Sequence, residues 1–274
     1  MSGGDASAAA VPILMYHAVA ERPPAAVRAL SVSPGAFAGQ MEVLHRRGFT
    51  PVTTARLAAA WRGGGELPAR PVLVTFDDGY EGVHRHALPV LASYSFAATL
   101  FVSTGWLRGP YDEGGAPDTM LDWDQVRELA GAGLEIGGHS HTHPELDQLD
   151  DDRLGSEVRR CREIIAGELG TAPDSFAYPY GYSSRRVRRT VRAAGFAQSV
   201  AVGNALARRR QGPYALERVT VRRTTGPEEF GRLVEGGSVA RTFAADRALT
   251  KGYAVVRRAR RAASLGRTAA AGRW

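Results

Sequence analysis

Short apolar segments alternate with segments of helical periodicity along almost the whole chain, and this alternation restricts the fold more than any other feature. The run RPVLVTF (70–76) is nearly continuous in apolar residues, as expected for a strand buried on both faces of a parallel sheet. About seven strand–helix units predict an α/β fold, a parallel β/α barrel that is distorted or incomplete; an open doubly wound sheet is the alternative. Neither a Gly-x-Gly-x-x-Gly motif nor a P-loop follows a strand, which disfavours a nucleotide-binding open sheet.

Composition divides the chain into three parts. Residues 1–10 are small and polar and are expected to be disordered, residues 11–240 carry the alternating pattern of one domain, and residues 241–274 are rich in alanine and arginine. The last part is expected to form either an appended helix or a loose tail.

The basic character of the chain comes from this tail. Residues 241–274 hold nine basic residues and one acidic residue, a net charge of +8, so that residues 1–240 carry −1 of the total +7. A nucleic-acid partner is therefore not expected. The tail could instead make a peripheral contact with an anionic membrane or an acidic partner, and a solvated end is the alternative.

Neither a membrane-spanning segment nor a signal peptide is expected. The longest apolar run is shorter than 18 residues, and the N-terminus lacks the basic start and apolar stretch of a signal peptide. The single cysteine, Cys161, excludes an intrachain disulfide. A cytoplasmic protein is expected, with a peripheral membrane contact of the tail as an option.

Three histidines occupy alternate positions in GLEIGGHSHTHPEL (133–146). If a strand ends here and the chain turns, His139 and His143 can converge on one point while His141 faces away. Neutral imidazole is a common ligand of divalent metals. A polar surface turn is the alternative, and a third ligand from another segment would decide between them.

Two adjacent carboxylates, Asp77 and Asp78, directly follow the apolar strand at 70–76. Such a pair at a buried strand end is costly unless a cation lies close by, although an acidic helix N-terminus is the alternative. Asp78 with His139 and His143 makes a set of three ligands, which leaves a position open as in catalytic metal sites. Asp77 is then free to act as a general base.

Three segments together resemble the first three motifs of the polysaccharide deacetylases, the NodB-homology domains of carbohydrate esterase family 4. They are TFDDGY (75–80), HSHTH (139–143) and FAYPYG (176–181). The resemblance covers roughly residues 10–235 and implies a NodB-like deformed barrel, with residues 11–240 as the catalytic domain.

The resemblance also implies a role for each matched residue. Asp77 would be the catalytic base, Ser140 would stabilise the histidine loop, and the backbone N–H of Tyr180 would donate to the oxyanion. The implied ligands of a divalent ion, Zn²⁺ or else Co²⁺ or Ni²⁺, are Asp78, His139 and His143.

Two features depart from the family pattern. The third motif usually begins with an arginine that orients the base, where this chain has Ala177 or Tyr178. The usual general acid is a histidine near the C-terminus, but no histidine follows His143. The YH of VPILMYH (11–17) resembles the circularly rearranged branch that includes poly-N-acetylglucosamine deacetylases, which implies His17 as the acid. A structural histidine at a strand end is the alternative.

The function implied by the resemblance is metal-dependent hydrolysis that removes N-acetyl groups from N-acetylhexosamine-containing glycans or glycan precursors and releases acetate. Two alternatives remain. One is a different C–N hydrolase on the same fold, acting on a small amide or a cyclic imide. The other is a glycan-binding relative without catalytic activity, which the complete set of Asp77 and three metal ligands disfavours.

Overall fold

The computed structural model describes residues 10–237 and 239–271, and within them eight strands form one parallel sheet. The strands are β1 (Ile13–Tyr16), β2 (Thr50–Pro51), β3 (Pro71–Phe76), β4 (Thr99–Val102), β5 (Glu135–Gly138), β6 (Ser175–Ala177), β7 (Gln198–Val200) and β8 (Val219–Thr220). Seven of them follow one another in the order β7–β6–β5–β4–β3–β1–β8, and β2 pairs with the start of β3. The expected disorder of residues 1–10 falls outside the described residues, except at Ala10.

Helices cover the outside of the sheet. They are α1 (Pro34–Arg46), α2 (Thr54–Trp61), α3 (Leu88–Ser93), α4 (Trp123–Gly131), α5 (Asp151–Leu169), α6 (Arg185–Ala193), α7 (Pro227–Val234), α8 (Val239–Thr242) and α9 (Ala244–Ala271). Ser33 caps α1 as its sequence predicts, because its Oγ accepts a hydrogen bond from the Ala36 N–H at 3.2 Å. Asp122 and Gln125 form a capping box at the start of α4. Local sequence therefore fixes where these two helices begin.

The sheet curls around an interior core. Side chains from five strands meet in one buried cluster, formed by Ile13, Leu73, Phe101, Ala177 and Val200. This arrangement requires a curved sheet rather than an open doubly wound one. The predicted incomplete parallel barrel is thus confirmed: a single α/β domain with a NodB-like deformed half-barrel of seven strands.

The barrel is open between its two edge strands. In the described part of the chain no strand ladder joins β7 to β8. The segment before β8 bridges part of the gap, since the Ala201 N–H donates to the Leu216 carbonyl at 2.8 Å and the Leu216 N–H donates to the Ser199 carbonyl at 3.1 Å.

Helix α2 closes the amino end of the barrel. Leu57 and Trp61 join the interior cluster, and the Thr54 N–H donates to Oγ1 of Thr99, the first residue of β4. The helix is only eight residues long, and Thr54, Leu57, Ala58 and Trp61 form its buried face. So short an apolar pattern is weak, and the sequence did not predict this helix. With the amino end closed, the carboxyl ends of the strands remain as the accessible end.

The basic C-terminal segment is helical as far as it is described. α8 crosses the expected boundary at residue 240, and α9 continues to Ala271. None of the helices in residues 10–237 and 239–271 is both long and apolar enough to cross a bilayer. The domain boundary and the cytoplasmic location stay predictions.

Candidate active site and metal centre

The carboxyl ends of neighbouring strands bring the candidate residues into one pocket with a volume of about 450 Å³. β1 and β3 pair in register, Tyr16 opposite Phe76, so His17 leaves the sheet beside Asp77. All six candidate residues line this pocket: His17, Asp77, Asp78, His139, His143 and Tyr180.

Asp78, His139 and His143 form a compact group whose ligand atoms all lie within 4.8 Å of one another. Oδ1 of Asp78 is 3.3 Å from Nε2 of each histidine. Burial raises the pKa of the Asp78 carboxyl, but hydrogen bonds to both imidazoles outweigh it and hold that pKa well below its usual range. An ionised carboxylate and two imidazole nitrogens directed at one point are a donor set that fits a divalent ion such as Zn²⁺.

A backbone contact fixes the orientation of His139. Its Nδ1 lies 2.8 Å from the Ala177 carbonyl oxygen. Because a carbonyl can only accept, Nδ1 carries a proton, and Nε2, which faces Oδ1 of Asp78, is the nitrogen that would bind a metal in place of a proton. Burial lowers the pKa of His139. The carboxylates of Asp77 and Asp78 raise it by more, so the net shift of that pKa is upward.

The second histidine ligand is held by its own loop and by aromatic rings. The His143 N–H donates to Oγ of Ser140 at 3.0 Å, which confirms the expected stabilising hydrogen bond. The ring of Trp106 stacks on His143 with 4.5 Å between centroids, and Tyr180 packs edge-on at 4.7 Å. The imidazole is therefore packed between two aromatic side chains.

His141 lies apart from this group, as the alternating pattern predicts. Its Nδ1 is 2.8 Å from Oγ1 of Thr104 and its Nε2 is 2.9 Å from Oε1 of Glu113. Both ring nitrogens are engaged by protein atoms, so His141 is a structural residue of the loop.

The backbone is strained at the pocket. Four non-glycine residues of the three motifs have a positive φ: Asp78, Ser140, His143 and Tyr180. Such conformations cost of order 1 kcal/mol or more each and persist where the surrounding structure enforces them. Gly79 at φ 103° follows Asp78, and a Cβ on it would lie 2.8 Å from Leu107. The tight turn after β3 therefore requires glycine.

A bidentate ion pair holds Asp77. Nη1 and Nη2 of Arg218 donate to Oδ1 and Oδ2 of Asp77, each at 2.6 Å, and the two side chains are 0% and 3% exposed. Burial raises the pKa of the Asp77 carboxyl, but the charge of Arg218, with smaller contributions from His139 and His17, outweighs it and lowers that pKa. Asp77 is consequently an ionised carboxylate with a fixed orientation.

Sequence reasoning missed Arg218, although it noted that the motif at Ala177 lacks an arginine. The signal lies in LERVTVR (216–222), where Arg218 directly precedes β8 and has the apolar residues Leu216, Val219 and Val221 around it. Because a buried arginine requires an acidic partner, an arginine at this place predicts that a carboxylate lies close to it. Its partner could not be named, because β8 meets β3 only through β1.

His17 lies in the pocket within electrostatic reach of both carboxylates. In a general acid at this place, a neighbouring carboxylate would be expected to keep the imidazole protonated. Here burial outweighs that effect: it lowers the pKa of His17, and the opposing charges of Asp78 and Asp77 only partly offset it. Its Nδ1 is buried and has no hydrogen-bond partner among the described residues.

Tyr180 lies at the rim of the pocket in a turn of 3₁₀ helix, Pro179–Gly181. Its side chain is 54% exposed and stacks on Tyr182 with 5.6 Å between ring centroids. The expected use of its backbone N–H stays a prediction.

Known proteins are similar to this chain in sequence. Residues 64–199 match the family model described as polysaccharide deacetylase. The Bacillus subtilis polysaccharide deacetylase homologue YxkH is 27% identical over 227 residues, which cover 83% of this chain and 77% of YxkH. The poly-β-1,6-N-acetyl-D-glucosamine N-deacetylase of Escherichia coli K12 is 26% identical over 189 residues, 56% of this chain but only 28% of that protein.

A solved structure agrees with the fold. The deacetylase PplD of Streptococcus pyogenes, in complex with acetate, superposes with a TM-score of 0.75 at 24% identity. The match covers 83% of this chain and 99% of that one. At this identity the similarity establishes the deformed barrel.

Proposed function

We propose that this chain, which belongs to the polysaccharide deacetylase family, removes N-acetyl groups from N-acetylhexosamine-containing glycans or glycan precursors and releases acetate. The observation that carries the proposal is that two adjacent carboxylates have different partners. Asp78 faces two histidines, whereas Asp77 is bound by Arg218 in the same pocket. One carboxylate is thus available to a metal and the other to a proton.

Asp77 acts as the general base. Arg218 keeps it ionised and fixes its plane, so that a carboxylate oxygen accepts a proton from the attacking water. The water oxygen forms the new bond to the acyl carbon, and the carbonyl oxygen gains negative charge. The N–H of Tyr180 donates to that oxygen.

His17 acts as the general acid. The C–N bond breaks as a proton passes to the departing nitrogen, which leaves as an amine beside acetate. An imidazole of lowered pKa is a stronger acid once protonated, and the two neighbouring carboxylates favour its charged form.

Asp78, His139 and His143 hold the divalent ion. When bound there, such an ion acts as a Lewis acid and lowers the pKa of water. We propose Zn²⁺, with Co²⁺ or Ni²⁺ as alternatives, because two imidazoles and one carboxylate suit these ions.

The test is acetate release from purified protein with added metal, on chitin oligomers, poly-β-1,6-N-acetylglucosamine oligomers, peptidoglycan fragments and nucleotide sugars. Asp77→Asn is the matched control, because it keeps the three metal ligands. Metal-dependent acetate release that Asp77→Asn lacks is the expected result. Turnover only of small amides or cyclic imides would favour the other C–N hydrolase, and glycan binding without turnover would favour the non-catalytic alternative.

A further inference from the structure

The C-terminal helix α9 borders the active-site pocket, although it lies outside the barrel. Asp246 and Leu249 of its first two turns line the pocket together with Thr250. Asp246 also accepts a hydrogen bond at 2.6 Å from Arg222, another pocket residue. The start of α9 is therefore part of the rim.

Two arginines fix the second half of α9 against the loop that precedes α5. Arg257 is 5% exposed; its Nε donates to Oδ2 of Asp147 at 3.0 Å, and its guanidinium lies 3.2 Å from the centre of the Tyr182 ring. Nη1 of Arg261 donates to the carbonyls of Asp147 and Leu149 at 2.9 and 2.6 Å. These contacts orient the helix and determine which of its faces points outwards.

The exposed apolar side chains gather on this side of the molecule. Six large apolar residues are more than a third exposed in the described part of the chain. Leu30, Tyr180 and Leu249 line the pocket, and Tyr253, Val255 and Val256 follow on α9. Leu249, Tyr253 and Val256 have the i, i+4, i+7 spacing of one helix face, so an apolar stripe runs along α9 from the pocket. This grouping differs from the single scattered apolar residues of an ordinary surface.

Exposed arginines accompany the stripe on α9. Arg260 lies four residues beyond Val256 on the same side of the helix, whereas Arg258 lies on the opposite, polar side. Four arginines of α6 line another cavity of about 560 Å³ together with Tyr214, and no carboxylate is among these lining residues. The arginines are Arg185, Arg188, Arg189 and Arg192. The two helices are neighbours, because Arg186 of α6 and Arg261 of α9 both donate to the Leu149 carbonyl. The surface on both sides of Leu149, which carries the apolar stripe of α9 and the arginines of the two helices, is here called the α6–α9 face.

We propose that the α6–α9 face docks on an anionic membrane surface, so that the pocket receives an N-acetylated sugar carried on a lipid. Apolar side chains of an amphipathic helix enter the interface while arginines pair with anionic headgroups. The net charge of +8 in residues 241–274 complements such a surface, whereas a second copy of the chain would bring like charges together. The lipid-carried substrate rests on the proposed function; the membrane contact does not.

The test of the contact is co-sedimentation of the full chain with phosphatidylcholine vesicles that contain or lack phosphatidylglycerol. Two double variants avoid the pocket lining: Tyr253→Ser with Val256→Ser, and Arg258→Gln with Arg260→Gln. The matched control, Arg46→Gln with Arg56→Gln, removes the same charge at the far end, since Arg46 ends α1 just before β2 and Arg56 lies on α2. We expect binding to the anionic vesicles that falls about 5- to 30-fold in the Arg258/Arg260 variant, for one or two arginines at the surface, falls in the Tyr253/Val256 variant and is unchanged in the control.

The proposal is overturned if the chain does not sediment with anionic vesicles, if the control loses binding as strongly as the Arg258/Arg260 variant, or if the Tyr253/Val256 variant binds like the wild type. Equally tight binding to duplex DNA would also overturn it, in favour of a nucleic-acid surface.

A second measurement addresses the substrate. The wild type should deacetylate an N-acetylhexosamine glycolipid in anionic vesicles faster than the matching water-soluble glycoside. The Tyr253/Val256 variant should lose that preference and keep its rate on the soluble glycoside. An unchanged preference in the variant would overturn the lipid-carried substrate. Failure to release acetate from either compound would instead refute the proposed function, while sedimentation alone decides the membrane contact.

Discussion

Replacing Arg218 with methionine removes both 2.6 Å hydrogen bonds to Asp77 and leaves that carboxylate buried without its counterion. Removal of one partner from a buried ion pair costs about 3–5 kcal/mol of the free energy of unfolding. Arg70 offers a matched control, since it makes two similar contacts to Glu235 at 2.6 and 2.7 Å but both side chains are more than 40% exposed. Arg70→Met should therefore cost about 1 kcal/mol or less.

A double-mutant cycle separates the ion pair from the other contacts of the arginine, which also donates to the Ala201 carbonyl and to Oγ1 of Thr75. In Arg218→Met/Asp77→Asn neither member of the pair carries a charge. The loss should be smaller than the sum of the two single losses by about 1–3 kcal/mol. Urea denaturation measures each free energy. Single losses that add to within about 0.5 kcal/mol would refute an energetic coupling between the two side chains.

The same pair predicts a kinetic effect. Arg218→Lys keeps the charge but loses the two-pronged geometry. Since a general base contributes about 10²–10⁴ to the rate, we expect kcat to fall about 10- to 100-fold, less than in Asp77→Asn, with little change in KM. A lysine variant with the kcat of the wild type would show that Arg218 stabilises the fold without orienting the base.

Three further predictions concern single side chains. Asp78→Asn should lose bound metal, whereas Asp77→Asn should keep it and lose turnover, as metal analysis of both proteins will show; equal metal loss would mean that both carboxylates are ligands. His17→Ala should keep its fold and metal but lose about two to four orders of magnitude in kcat on the amide, and less on an activated ester; an amide rate near that of the wild type would exclude His17 as the acid. Burial raises the pKa of Glu135 despite the hydrogen bonds that it accepts from Ala55, Ser175 and Thr99. The pKa of a glutamate in the unfolded chain is about 4.3, and that of Glu135 in the folded protein is higher. The protonated Glu135 therefore contributes fully to stability below about pH 4.3, and this contribution is lost as the pH rises through the folded pKa. Urea titrations at several pH values should show that loss in the wild type and not in Glu135→Gln, and identical pH dependences would contradict it.

Much of the site could be predicted because strand ends reveal it. Parallel strands place their carboxyl ends at one edge, so Asp78 after β3 and His139 after β5 had to be close once the fold was known. Arg218 could not be placed in this way, since its contact with Asp77 depends on which strand β8 joins. The direction of the His17 pKa shift also escaped prediction, because sequence shows the neighbouring charges but not the depth of burial.

The pairing of β1 with β8, with Leu14 opposite Val219, has a consequence for the order in which the active site forms. It joins segments about 200 residues apart. Because closing so long a loop of chain adds to the entropic barrier of folding, the β1–β8 pair is expected to form late. During synthesis His17 and the metal ligands leave the ribosome before Arg218, the counterion of Asp77. A nascent or prematurely terminated chain that ends before β8 can therefore hold every metal ligand and still lack a base of fixed orientation. Deacetylation is consequently expected only after translation has passed β8.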